Sequence, residues 1–135
     1  MKKLLFLVFA TLLAAPLLAQ STQDDDHDAY IFSTVEQQPQ FPGGEEAMYR
    51  FIASNAHYPK EARENGIQGT VYLTFIVERD GSISNVRILR SPSDLLSEEA
   101  SRVVKSMPRW KPGKAAGKNV RVQYTLPLHF QLQLE

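Results

Sequence analysis

Apolar residues recur at helical spacing in two segments of the chain. In Glu45–Asn55, and again in the segment that begins at Asp94, they stand three and four residues apart. Because a helix completes a turn in 3.6 residues, this spacing puts them on one face. Acidic residues open both segments and complement the positive end of a helix dipole. We therefore predict a helix over Glu45–Asn55, a short helix over Pro59–Asn65 closed by Gly66, and a longer helix from Asp94 that Pro108 ends.

Three other segments alternate between apolar and polar residues, as strands do. Both faces of Val71–Val77 are largely apolar, which is typical of a central strand covered on both sides. Ser82–Arg90 alternates imperfectly, which indicates a bulge or an edge position. Val120–Leu132 alternates most regularly. The Asp80-Gly81 pair favours a tight hairpin between the first two strands, and Lys114–Asn119 is predicted to be a loop.

The order of these elements, α-α-β-β-α-β, restricts the topology. A hairpin reverses the second strand, and the following helix returns the chain so that the third strand runs antiparallel to the first. We therefore predict an α+β fold with a three-stranded antiparallel sheet in the order 2-1-3 and helices packed on one face. The last strand is then an open edge, which is a template for strand addition.

Proline at position 127 indicates the phase of that last strand, that is, which of its residues direct their backbone groups away from the sheet. Proline has no N–H, so it is tolerated on the outer side, where no neighbouring strand needs a donor. Alternate residues direct their backbone groups to opposite sides. The residues in phase with it should therefore offer backbone groups outward, while their neighbours pair with the first strand; the outward set is Arg121, Gln123, Thr125, Pro127 and His129.

The first residues resemble an export signal. Met1-Lys2-Lys3 is positively charged, and the apolar run Leu4–Leu18 is shorter than the roughly 20 residues of a membrane span. We predict a signal peptide over residues 1–19, cleaved between Ala19 and Gln20, with an uncleaved anchor as the alternative. Residues 20–40 are predicted to be a flexible acidic leader, and residues 41–135 to be the folded domain.

Charge is balanced in total but unevenly distributed. The chain has 15 acidic and 15 basic residues, yet the segment from Arg102 to Arg121 has seven bases and no acid. We predict that this basic stretch faces solvent without internal partners. It is either a solvated surface or a contact for an anionic polymer such as the cell wall, with Arg109, Lys111, Lys114 and Lys118 as the candidate contacts.

The residues that carry catalysis or bind metals are scarce. The chain has no cysteine, and its histidines, His27, His57 and His129, belong to a leader, a turn and a strand. Glu98 and Glu99 are adjacent on a helix and point in different directions, so we interpret them as partners of the helix dipole. We predict no enzymatic activity, metal, cofactor or nucleic-acid partner.

Several short motifs follow one another in a characteristic order. They are Phe41-Pro42-Gly43-Gly44, Tyr58-Pro59-Lys60-Glu61-Ala62, Gly66-Ile67-Gln68-Gly69-Thr70-Val71, Asp80-Gly81, Glu99-Ala100, Pro108-Arg109-Trp110-Lys111-Pro112-Gly113 and Leu126-Pro127-Leu128-His129-Phe130. Together they resemble the TonB C-terminal domain family, in the form common among Bacteroidetes, over roughly residues 41–132.

The resemblance implies a periplasmic module that binds the TonB box, a short extended segment of TonB-dependent outer-membrane transporters, and so supports transport. In the family this segment adds as a strand beside the last strand and comes close to the stretch before the Tyr-Pro pair. Carried over to this chain, the partner-binding candidates lie in Val120–His129 and Ala56–Tyr58. Within these segments we single out the outward set defined above together with His57 and Tyr58. Family transducers often have glutamine where this chain has His57.

Transducers of the family also have an inner-membrane anchor that couples to an ExbB–ExbD-type motor, and a long spacer. The leader predicted here reaches at most about 70 Å. Three interpretations therefore stay open: a periplasmic peptide-binding adaptor, a structural envelope protein that binds peptidoglycan or another envelope component, and a transducer anchored in the inner membrane. Whether the chain forms a homodimer also stays open.

Overall fold

The computed structural model describes residues 30–32 and 34–133, and the statements below concern the unit that begins at Ile31. The predicted signal peptide and the first part of the leader lie outside the described residues. The elements in chain order are β1 (Ile31–Phe32), α1 (Glu45–Asn55), α2 (Lys60–Glu64), β2 (Gly69–Val77), β3 (Ile83–Arg90), α3 (Asp94–Lys105), β4 (Gly113–Ala115) and β5 (Lys118–Phe130).

The three helices form where the sequence predicts them. In α1, Met48 and Ile52 lie one turn apart and are both buried. The α2 turn closes with a hydrogen bond from Ile67 N–H to the Ala62 carbonyl, at 2.9 Å. Ser93 caps α3 by accepting hydrogen bonds from the first-turn N–H groups. Local spacing and capping are therefore sufficient to explain the helices.

The sheet is larger than predicted and is mixed. Its strand order is β1-β5-β2-β3; β2 is antiparallel to both of its neighbours, while β1 runs parallel to β5. In addition, β4 pairs with the start of β5. The prediction of a three-stranded, wholly antiparallel sheet is therefore wrong, whereas the α+β class is confirmed. Strands of two and three residues are too short to show an alternation in the sequence.

The predicted loop over residues 114–119 is instead a hairpin. Ala116 and Gly117 both have positive φ angles, 52° and 76°, and connect β4 to β5. Two residues of this kind give a turn whose twist matches that of the flanking strands. The sequence signal was missed because alanine is uncommon in this backbone conformation.

Part of the predicted leader is bound to the domain. Gln37 pairs with Lys114, and Gln40 with Lys111, through reciprocal backbone hydrogen bonds of 2.8–3.1 Å. The side chain of Glu36 also accepts a hydrogen bond from Ala116 N–H. Over residues 36–40, the flexible leader of the prediction is therefore replaced by an extended segment along the edge of β4.

The hydrophobic core lies between the helices and one face of the sheet. Trp110 is 3% exposed and belongs to this core. Its ring lies within 6 Å, centroid to centroid, of Phe41, Phe75 and Tyr124. Such tilted and edge-on contacts are the arrangements that aromatic rings prefer. This cluster joins the segment before α1 to β2 and β5, and so holds the long last strand in place.

Candidate functional site

The outer edge of β5 is partly covered. Ile31 pairs with Arg121 and Phe32 with Val122, on the side of β5 that faces away from β2. From Gln123 to Phe130, no strand of the described residues pairs on this side. The predicted open edge is therefore shortened at its start, because the chain's own β1 occupies the position of Arg121.

The outward phase of β5 stays a prediction, which follows from its register with β2 together with the missing N–H of proline. Pro127 lies opposite Tyr72 of β2. Opposed residues in an antiparallel ladder alternate between hydrogen-bonded and non-bonded pairs, and a proline cannot fill a bonded position. The backbone groups of Thr125 and His129 therefore point to the outer edge. Their side chains are exposed, whereas those of Leu126 and Leu128 are buried.

A groove runs beside this open edge. One wall is the second half of α1 with the connection to α2, and the other is the last part of β5. The cavity has a volume of about 500 Å³ and is lined by Tyr49, Ile52, Ala53, Ala56, His57, Tyr58, Pro127, Leu128, His129, Phe130, Gln131 and Gln133. Its walls are mainly apolar and aromatic, with histidine and glutamine side chains among them.

The fold brings together the two separate parts of the predicted site. His57 and Tyr58 face Pro127 and His129 across the groove, although about 70 residues separate them in sequence. Gln123 lies elsewhere, in a smaller hollow beside Ile31. The candidates therefore divide into a group at the groove and a group nearer to β1.

The α1 wall was missed by the sequence analysis. Tyr49, Ile52, Ala53 and Ala56 line the groove. They recur at helical spacing, so a second stripe on α1 was visible in the sequence. The sequence analysis named no residue within α1 itself as a contact, and Ala56 was the candidate next to it. Tyr49 is 45% exposed, which leaves its ring available to a ligand.

Tyr58 has a structural role in the wall. Its hydroxyl donates a hydrogen bond to the Ile67 carbonyl, and its ring meets the ring of Phe130 edge-on at 5.7 Å. Burial raises the pKa of Tyr58, and Arg63 acts in the opposite direction. Tyr58 therefore connects the α1–α2 connection to the end of β5.

His129 also has an internal partner. Its Nδ1 lies 2.7 Å from the Thr70 hydroxyl oxygen of β2. This contact leaves the backbone of His129 at the outer edge but fixes the position of the imidazole. The contribution of His129 to a strand-addition site is therefore through its main chain.

The basic stretch is largely exposed, as predicted, but its three arginines are paired internally, so the prediction that it has no internal partners is wrong for them. Arg102, Arg109 and Arg121 make ion pairs of 2.7, 3.2 and 2.6 Å, with Glu99, Asp80 and Glu78 respectively. Two of these acids lie at the β2–β3 hairpin, about 30 to 40 residues away in sequence, and the fold brings them to the arginines. The candidate polyanion contacts Lys111, Lys114 and Lys118 are exposed, whereas Arg109 is paired.

Two of these ion pairs predict an acid-sensitive stability. Hydrogen bonds from Arg121 hold the pKa of Glu78 below its ordinary value of 4.5, and those from Arg102 do the same for the pKa of Glu99; burial opposes both. The unfolded chain therefore takes up these protons at higher pH than the folded chain. The stability from both groups is present above about pH 4.5 and is lost as pH falls through the lowered folded pKa values.

We expect the midpoint of urea unfolding to fall as pH is lowered from about 5 to about 3. A double variant, Glu78→Gln with Glu99→Gln, should be less stable than the wild type at pH 6, and its stability should fall less on acidification. An equally steep loss in the double variant would mean that other carboxylates cause the acid sensitivity.

Several absences hold for the part of the chain that the structure describes. No helix there is long and apolar enough to cross a membrane. No group of three or more histidine, aspartate or glutamate side chains is arranged there to hold a metal ion. His27 lies outside the described residues.

The fold and site define a small α+β domain with an exposed strand edge beside a mainly apolar groove. The family model of the Gram-negative bacterial TonB protein C-terminal region matches residues 54–132. The chain therefore belongs to the TonB C-terminal domain family, and the resemblance to this family is confirmed over the matched residues. Proteins of this family are not enzymes, and membership confirms that prediction for the chain.

Curated relatives are similar over the same region. Protein TonB of Helicobacter pylori (strain J99) is 31% identical over 78 residues, which is 56% of this chain and 28% of that protein. Protein TonB of Pseudomonas aeruginosa is 33% identical over 79 residues, again 56% of this chain and 22% of that protein. The match therefore spans only about a quarter of the length of these relatives.

Solved structures have the same fold. The solution NMR structure of the Pseudomonas aeruginosa TonB CTD is 30% identical, with a TM-score of 0.50, and covers 59% of this chain and 81% of that one. A Helicobacter pylori TonB-CTD structure is 24% identical, with a TM-score of 0.53, and covers 70% and 89% of the two chains. The second likeness supports the fold alone.

Proposed function

We propose that this chain is a TonB-like binding module of the cell envelope. It takes an extended segment, the TonB box of an outer-membrane transporter, as an added strand on the outer edge of β5, and so supports TonB-dependent transport. The observation that carries the proposal is the edge from Gln123 to Phe130, beside the groove, on which none of the strands among residues 30–32 and 34–133 pairs.

The backbone supplies affinity in this mechanism. The outer edge offers the N–H and C=O of Thr125 and His129, and the carbonyl of Pro127 between them. An incoming strand pairs with these groups as a new member of the sheet. Because the apolar side chains of β5 point into the core, binding leaves the core undisturbed.

The groove supplies specificity. Alternate side chains of an added strand point to the same face of the sheet, so every second one is directed toward α1. A cavity of about 500 Å³ between Tyr49, Tyr58 and Phe130 accepts an apolar or aromatic side chain. Charged side chains are disfavoured there, because the walls offer them few partners.

A pair of arginine substitutions on α1 tests the binding site. Ala53 lines the groove and the adjacent Ser54 does not, yet both side chains are exposed on the helix. We expect Ala53→Arg to obstruct the groove and to lower the affinity for a synthetic TonB-box peptide about tenfold or more, as a lost anchor residue does. Ser54→Arg should bind like the wild type.

Isothermal titration of the full chain measures both affinities, and circular dichroism checks that both variants fold. Arginine is a good helix former, so neither change should disturb α1. Equal affinities for the two variants would remove the groove from the proposed site. A wild-type chain that does not bind the peptide would overturn the proposed function.

The location and the coupling belong to the same proposal. We propose that the domain acts in the periplasm, either as an exported protein or, with its N-terminal segment retained, as an inner-membrane protein coupled to an ExbB–ExbD-type motor. The N-terminal residue of the protein purified from the envelope, read by mass spectrometry, separates Gln20 from Met1. Only the retained form would support energy transduction by this chain.

A role in binding peptidoglycan has weaker support. Lys111, Lys114 and Lys118 are exposed near the β4–β5 hairpin, but Arg109 is paired with Asp80. Exposed lysines on a hairpin are an ordinary solvated surface. Pull-down of the chain with purified sacculi, compared with peptide binding, separates the two functions.

A further inference from the structure

The connection between α1 and α2 is held from behind by two side chains of α3. The backbone N–H of His57 donates to Glu99 Oε2 at 2.6 Å. The Nη2 of Arg102 donates to the backbone carbonyl of Asn55 at 2.6 Å. Arg102 also binds both oxygens of Glu99, through Nε and Nη2, each at 2.7 Å. The Glu99 carboxylate, the Arg102 guanidinium and the two backbone groups therefore form one hydrogen-bonded network, which we call the α3 clamp.

The α3 clamp satisfies backbone groups that would otherwise be left open. Asn55 is the last residue of α1, and the carbonyls at a helix end have no partner within the helix. The last turn of α1 contains no basic residue of its own. Arg102 therefore supplies, from α3, a positive charge that stabilises the negative C-terminal end of the α1 dipole.

The clamp is more rigid than an ordinary surface ion pair. The Glu99 side chain is 11% exposed and that of Arg102 is 48% exposed. A planar guanidinium that makes two bonds to a carboxylate fixes the geometry as well as the distance. Because Glu99 is largely shielded from water and fully bonded, the connection cannot shift without breaking charged hydrogen bonds.

We propose that Glu99 and Arg102 are positioning residues that set the distance between the two walls of the groove, and thereby the affinity for the added strand. This inference rests on the proposed function. Ala56 and His57 belong to the wall, and the clamp bonds flank and include them. The hydroxyl and ring contacts of Tyr58 hold Tyr58 itself, which is the residue after His57. Without the clamp, the hydrogen bonds that remain to this segment are local ones to α1, from Ala56 N–H to the Ile52 carbonyl and from the Asn55 amide to the Phe51 carbonyl, each at 2.8 Å. Neither of them sets the position of His57 relative to β5.

Truncation of Glu99 tests the clamp. We expect Glu99→Ala in the full chain to lower the affinity for a synthetic TonB-box peptide about tenfold, because charge-assisted hydrogen bonds that order the wall are lost. The loss should appear as faster dissociation. Exchange of the His57 amide hydrogen should also accelerate. Glu99→Gln keeps an oxygen that can accept from His57, so it should recover part of the affinity.

The matched control is Asp80→Asn. It breaks the exposed ion pair with Arg109 at the other end of β2 while keeping an oxygen for the Ser82 bonds. We expect wild-type affinity and His57 exchange in this variant. If Glu99→Ala does not fold, Arg102→Lys replaces it, because one ammonium on an exposed side chain cannot bridge Glu99 and Asn55 as the guanidinium does.

The outcomes are distinct. Weaker binding in Glu99→Ala or Arg102→Lys, with Asp80→Asn unchanged, supports the inference. Reduced unfolding stability with unchanged affinity of the folded chain would reduce the clamp to a structural role and overturn the inference, while the proposed function would stand. A wild-type chain that does not bind the peptide would remove the proposed function and the inference together.

Discussion

We expect Thr125→Pro to leave the domain folded and to weaken strand addition, whereas Tyr124→Pro should strongly destabilise the fold. The two residues are adjacent on β5 and lie opposite Thr74 and Phe75 of β2. Their backbone groups point to opposite sides of the strand. Proline at Thr125 removes a donor from the outer edge, where Pro127 is already tolerated. Proline at Tyr124 removes a hydrogen bond of the central ladder, which costs about 3 kcal/mol or more.

Alanine at the same positions separates the effect of the backbone from that of the side chain. Tyr124 packs against Phe75 and Trp110, so Tyr124→Ala alone is destabilising. The informative quantity is the difference in unfolding free energy between proline and alanine at each position. It should be large at Tyr124 and small at Thr125, as measured by urea denaturation.

Peptide titration completes this comparison. Thr125→Pro should bind the TonB-box peptide about tenfold more weakly than Thr125→Ala, since one hydrogen bond and the fit beside it are lost. If proline unfolds the domain at Thr125 and is tolerated at Tyr124, the phase of β5 is inverted. The proposed binding edge would then be wrong.

We expect Gly81→Ala to destabilise the domain far more than Gly117→Ala. Both glycines have positive φ angles, 87° and 76°, which cost an alanine about 1–2 kcal/mol. A Cβ on Gly81 would in addition collide with the backbone carbonyl of Trp110, whereas one on Gly117 would meet no atom within 4 Å. The collision adds the cost of overpacking, so we expect a total of about 3 kcal/mol or more for Gly81.

The contact at Gly81 explains the size of this effect. The backbone N–H of Trp110 donates to the Gly81 carbonyl at 2.8 Å, which joins the β2–β3 hairpin to the residue at the centre of the aromatic cluster. Displacing the hairpin therefore disturbs the core. Unfolding free energies of the two variants measure the difference, and similar values would show that only the backbone conformation of Gly81 matters.

The sequence by itself determined the helices, the alternation of β5 and the family. Met48 with Ile52 in α1, and Leu96 with Ala100 in α3, are one turn apart and are buried as that spacing predicts. Caps and apolar periods depend on neighbours within about one turn, so they can be read from the sequence directly. The position of Pro127 likewise indicated the phase of the last strand.

Only the tertiary structure decided which distant residues of the chain pair with one another. The pairing of residues 36–40 with 111–114, the position of β1 at Arg121, and the ion pairs of Arg109 and Arg121 join residues distant in sequence. A short segment without an apolar period contains no signal for its partner. Glu99 illustrates the limit: on its own helix it resembles a dipole partner, and its contact with His57 exists because the fold packs α3 behind the groove.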